Sequence, residues 1–157
     1  MDSRGNKVLS EIKDWIENIE NSKFLDGKVK MEYHLKVNED IPEFKADLYI
    51  PLKHTKIFIE MESFGGNIDG NVTKYWFWME NNIPTQKVVL IQIVDPQSTT
   101  ERTKRNWRSR TELSKFIGRK IEEAFLKKFK FVFLAEVEGN WEEEIKKKII
   151  GEVKKEF

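Results

Sequence analysis

Ala46-Asp47-Leu48-Tyr49-Ile50 and Lys56-Ile57-Phe58-Ile59-Glu60-Met61-Glu62 each read as a short strand bounded by turn residues. A strand sends alternate side chains to opposite faces, so Glu60 and Glu62 share a face, about 6–7 Å apart at Cα. The other face, Ile57, Ile59 and Met61, is apolar and belongs against a core. Acidic side chains converging from two neighbouring strands make an oxygen-rich site that suits Mg²⁺ or Mn²⁺.

Around this pair the pattern alternates between helix and strand. Val8, Leu9, Ile12, Trp15, Ile16 and Ile19 recur at helical spacing over residues 6–21. Residues 28–37 alternate, with Val29, Met31, Tyr33, Leu35 and Val37 on one face and Lys30, Glu32, His34 and Lys36 on the other. After Gly65-Gly66 a helix is expected at 71–82, with Val72, Tyr75, Trp76 and Met79 inward; the dense aromatics Phe77 and Trp78 then have a partner subunit as one candidate neighbour. Residues 87–94 form a nearly continuous apolar run, as in a central strand buried on both sides. Ser109-Arg110-Thr111-Glu112 has the form of a capping box opening a helix over 110–128, with Leu113, Phe116, Ile117, Ile121, Ala124 and Phe125 as its buried stripe. A strand over 131–137 and a helix capped by Asn140 complete the chain. The order α-β-β-β-α-β-α-β-α predicts an α/β fold with a mixed sheet flanked by helices.

The 157 residues amount to one domain. Charged residues make up 35 %, yet the net charge is +1, so any basic surface must be local. With no cysteine there is no disulfide framework, zinc-thiolate site or thiol nucleophile. His34 and His54 lack zinc-site spacing, and no Gly-x-Ser-x-Gly elbow is present. Gly65-Gly66 lacks the Gly-x-x-x-x-Gly-Lys pattern, which argues against a nucleotide cofactor. The N-terminus has no apolar signal region and no run reaches transmembrane length, so the expectation is a soluble, cytoplasmic protein with no membrane partner.

The element order, with Asp47 on the second strand and Glu60-Met61-Glu62 where Glu-x-Lys is expected on the third, resembles the PD-(D/E)xK nuclease superfamily, which has the restriction-endonuclease-like fold. The likeness covers roughly residues 6–95. It implies a single domain over 1–157, with a core of about 6–95, a basic loop at 96–110 and a C-terminal αβα addition at 111–157. Ala46 replaces the usual Pro, and Glu62 replaces the lysine. A minority of restriction endonucleases similarly carry Glu there, where it helps orient or deprotonate the attacking water. The resemblance implies a metal-dependent DNA endonuclease using Mg²⁺ or Mn²⁺, and a homodimer, because cutting both strands of duplex or branched DNA takes two active sites.

On that resemblance Asp47 and Glu60 are metal ligands, joined by the carbonyl of Met61, and Glu62 serves a second metal or the water. Read singly, Asp47 or Glu60 is a solvated charge on an exposed sheet face; the element order favours the metal site. Glu11 on the first helix is a candidate acidic residue reaching the metal through water, with ordinary helix-surface charge as its equal alternative and Glu32 as a weaker candidate. In some branches of the family a lysine from the helix after the acidic strands enters the site, which makes Lys74 a candidate; a solvated lysine is the alternative. Residues 101–110 hold five basic residues against one acidic. Arg102, Lys104, Arg105, Arg108 and Arg110 suit phosphates, and Trp107 suits stacking on a base. A catalytically inactive nuclease-fold module that binds nucleic acid or a partner protein is the rival reading. A carboxylate-pair glycosidase fits less well, because the basic stretch suits phosphate.

Overall fold

The computed structural model describes residues 4–41, 43–63, 67–96 and 101–157, with backbone alone for 101–107. The Gly65-Gly66 loop therefore lies outside the described residues, as do the side chains of Arg102, Lys104, Arg105 and Trp107.

The order is α1 (Arg4–Glu17), β1 (Lys30–Leu35), β2 (Phe44–Pro51), β3 (Thr55–Glu62), α2 (Ile68–Asn81), β4 (Lys87–Val94), α3 (Glu101–Ala124), β5 (Phe129–Leu134) and α4 (Trp141–Lys154), with one 3₁₀ turn at Ser22–Phe24. The five strands form one sheet in the order β1-β2-β3-β4-β5. The first three make an antiparallel meander, and β3, β4 and β5 run parallel. Parallel neighbours need crossovers, and α2 and α3 supply them. One face of the sheet packs Ile57, Ile59, Ile91 and Ile93 against α1 and α4. The other packs Phe58, Val88 and Leu90 against α2 and α3. The chain is thus an α/β fold of three layers. No helix among the described residues is long and apolar enough to cross a membrane.

Ile57, Ile59 and Met61 lie against the core on the α1 side, as their alternation requires. The strand at 87–94 is buried along nearly its whole length, as its apolar run predicts. Four other expectations need correction. The first helix stops at Glu17, because the Asn18 side chain accepts from the backbone N–H groups of Glu20 (3.0 Å) and Asn21 (2.9 Å) and turns the chain. Ile19 is left 92 % exposed.

The alternation of β1 breaks at Glu32, whose φ of 48° is left-handed. Met31 packs on the α1 side while Tyr33 packs on the α2 side. On α2, Trp78 is buried and Phe77 is 39 % exposed, while Trp76 is only partly buried.

The segment at 96–110 is not a loop throughout. From Glu101 onward it is the first part of α3, and the supposed capping box lies inside that helix. Glu, Arg and Lys are good helix formers and no Gly or Pro interrupts Glu101 to Arg110, so a helix polar all round carries no apolar period to announce it. Its buried positions are Thr111, Ser114, Gly118 and Ile121, while Leu113 and Phe116 are about half exposed. Gly118 explains the choice of small residues: a Cβ there would come within 2.3 Å of the Phe131 ring on β5.

Candidate active site

The site forms where β2 and β3 part. Their pairing ends at Leu48↔Ile59, one step short of Asp47 and Glu60. Beyond that point β2 pairs only with β1, and β3 only with β4. The left-handed Glu32 lies opposite Asp47, between Met31↔Leu48 and Tyr33↔Ala46, so β1 and β2 turn at the same register. The turn is visible in packing, since Leu48 and Ile50 face α1 whereas Ala46 faces α2.

The splay leaves the N–H of Met61 without a backbone partner on β2. The carboxylate of Asp47 takes that place and accepts from Met61 N at 2.7 Å. A buried backbone donor is thereby satisfied, and Asp47 is fixed beside Glu60 and Glu62. The Met61 side chain packs into the apolar layer on the α1 side.

Glu60 and Glu62 project towards α2 and are 2 % and 4 % exposed. Neither is a solvated charge. The Tyr75 hydroxyl donates to Glu60 Oε1 at 2.9 Å, and the Lys74 ammonium forms an ion pair with the same oxygen. Lys74 also donates to the carbonyl of Lys45 and, at 3.3 Å, to Asn71 Oδ1. The Asn71 amide donates to Glu62 Oε1 at 2.6 Å. Asn71, Lys74 and Tyr75 share one face of α2 by their i, i+3, i+4 spacing.

Burial pushes the Glu60 carboxyl up to about 8, against the pull of Lys74 and with added repulsion from Asp47. Burial likewise pushes Glu62 up to about 7; Asn71 draws it down and Asp47 drives it up. Burial and the neighbouring Glu60 raise the Tyr75 hydroxyl well above its ordinary value.

Among the described residues no group of three or more Asp, Glu, His or Cys side chains stands ready-made to hold a metal ion. Asp47, Glu60 and Glu62 are instead each engaged by an internal donor. The donor chemistry nevertheless fits a hard divalent cation. The three acids repel one another through space, two are almost fully buried, and Lys74 is the one cation in contact with them among the described residues.

The structure joins Asp47, Glu60, Glu62 and Lys74, and leaves Glu11 out. Glu11 pairs with Lys146 of α4 at 3.1 Å, and α1 packs on the face of the sheet opposite α2. Glu32 is exposed on β1. Arg108 is exposed in the first third of α3, and Arg110 pairs with Asp69 in the first turn of α2 at 2.8 Å. That contact ties the basic half of α3 to the helix carrying Asn71 and Lys74. Sequence reasoning missed Asn71, the role of the Tyr75 hydroxyl, and Gln92. Gln92 sits beside Glu60 in the β3–β4 register, and a lone polar residue inside an apolar run was the available signal.

No family model and no curated protein matches this sequence. The site must therefore be read from its own geometry.

Proposed function

We infer that the chain is a metal-dependent phosphodiesterase of the restriction-endonuclease-like kind, cutting duplex or branched DNA with Mg²⁺ or Mn²⁺, as a homodimer. The observation that carries this reading is Lys74. A partly buried ammonium contacts Glu60 from α2, so a cation stands at the acidic strands although Glu62 occupies the motif position of the lysine.

In this reading Asp47, Glu60 and the Met61 carbonyl hold the cation, with Glu62 beside them. Bound there, the cation supplies Lewis-acid charge to the scissile phosphate and to the attacking water. The residues of the chain do the rest. Lys74 places positive charge where the phosphate gains negative charge. Glu62, beside the cation, takes the proton of the attacking water. The basic first half of α3 grips the DNA backbone.

The test is cleavage of labelled linear duplex, single strand, flap and four-way junction with Mg²⁺ or Mn²⁺. Asp47→Ala abolishes cutting. Lys74→Ala and Glu62→Gln each lower the rate by about 10²-fold or more, the range for a lost general base or charge stabiliser. The wild-type rate rises with pH as Glu62 loses its proton, and the rise disappears in Glu62→Gln.

The second reading, a non-catalytic relative that binds nucleic acid, is favoured by one observation. The three carboxylates already have internal donors. It expects DNA binding with neither Mn²⁺ binding nor cleavage.

A further inference from the structure

Where Val94 is apolar, Gln92 is the polar side chain that β4 brings to the carboxylate row. It is fully buried, and the parallel register sets it directly beside Glu60. Its carboxamide N–H donates to the carbonyl of Ile68 in the first turn of α2 at 2.7 Å. The carboxamide also lies close enough to Glu62 to draw that acid's pKa down. A carboxamide has two N–H donors and one carbonyl acceptor, and its donor end is engaged at Ile68. The acceptor is not: Oε1 is buried with no described donor in reach.

A buried carbonyl oxygen without a donor is rare in folded proteins, and its lone pairs call for an explanation. Thr111 and Ser114 also hold buried oxygens without partners, but they lie on the buried stripe of α3. Gln92 stands beside Glu60 in the register and close to Glu62, in a site that sets three acids against Lys74. Neutral amide oxygens are good ligands for hard divalent ions and add a donor without adding charge.

We propose that Gln92 Oε1 is a further ligand of the divalent-cation site, the oxygen that β4 contributes beside Asp47 of β2 and Glu60 of β3. The inference rests on the metal-dependent reading above and deepens it. It gives Gln92 two coupled duties. Its nitrogen fixes the start of α2, and with it Asn71 and Lys74, while its oxygen faces the ion.

The experiment is a Mn²⁺ titration of the full chain without DNA, read by the electron paramagnetic resonance of free Mn²⁺, with Mn²⁺-induced thermal stabilisation as a second readout. Wild type, Gln92→Leu and Gln92→Glu are compared at pH 8. A ligating oxygen makes Gln92→Leu bind at least tenfold more weakly, while Gln92→Glu binds as tightly as wild type or more so. Gln92→Glu keeps the oxygen but loses the donor to Ile68. If Gln92 served only to anchor α2, both variants would weaken alike, and the proposal falls. Undiminished binding in Gln92→Leu also overturns it. Should Gln92→Leu fail to fold by circular dichroism, Gln92→Glu decides alone, since weaker binding refutes ligation and equal or tighter binding supports it. Wild type that binds no Mn²⁺ removes the metal-dependent function itself, a failure distinguishable because it appears before any variant is made.

Discussion

Glu60 is a carboxyl buried among two other acids with one lysine in contact, and that has a measurable consequence. Its folded pKa of about 8, and that of Glu62 at about 7, exceed the ordinary 4.5. The folded chain therefore holds these protons more tightly than the unfolded chain does. Their contribution to stability is fully present below about pH 4.5 and is lost as pH rises through 7 and 8. The metal-free protein should lose stability between pH 5 and 8, as measured by urea denaturation. Glu60→Gln keeps the shape and removes the charge. It should flatten most of that slope and raise stability at pH 8 on the order of 2 kcal/mol, while abolishing activity. Asp47→Ala acts differently, because it strands the Met61 N–H as well as removing a charge. A lost buried acceptor costs about 1–3 kcal/mol, so Asp47→Asn, which keeps an acceptor oxygen, should be the more stable of the two inactive variants.

At the scale of elements, the close contact of α3 with β5 gives a test of packing. Alanine is the better helix former, yet Gly118→Ala places a Cβ against the ring of Phe131. It should destabilise by about 1–3 kcal/mol, and Phe131→Leu should recover part of the loss in the double mutant. The same helix shows what the sequence conceals. Period-two and period-3.6 patterns carry strands and helices wherever one face is buried, and a continuous apolar run marks a strand buried on both, so β2, β3, β4 and the capped α4 are legible from Leu48, Ile57, the run around Val89 and Asn140. The first ten residues of α3 are polar on every side and carry no such pattern. Farther along α3, the apolar residues Leu113 and Phe116 point outward because the contact with Phe131 selects small side chains. The break in β1 is equally silent, because Glu32 takes a left-handed conformation that no glycine announces. Asp47, Glu60 and Glu62 are readable from their strands, and Lys74 from its place on the following helix. Asn71, Tyr75 and Gln92 are not, because a polar atom reveals its role only once register and helix face set it against a partner.

Across the whole molecule, a net charge of +1 offers no long-range attraction for a polyanion. If the chain binds DNA as proposed, the affinity must come from a local concentration of charge, and the basic half of α3, tied to α2 through Arg110 and Asp69, is where the sequence concentrates it. The carboxylates beside it oppose a phosphate backbone, so the chain holds attraction and repulsion side by side. Two consequences follow for binding measured by fluorescence anisotropy with an uncleavable duplex. Adding Mg²⁺ should tighten binding at constant ionic strength, because a cation among Asp47, Glu60 and Glu62 reverses the local field. Replacing Arg102, Lys104, Arg105, Arg108 and Arg110 together by alanine should flatten the dependence of log K on log salt. Each lost phosphate contact removes a slope of about 0.9, so a helix that uses most of them loses about 3–4. An unchanged slope would place the DNA elsewhere on the molecule. Loss of the Mg²⁺ effect with an intact salt slope would instead separate the two halves of the site, leaving a helix that binds DNA and carboxylates that do not answer to metal.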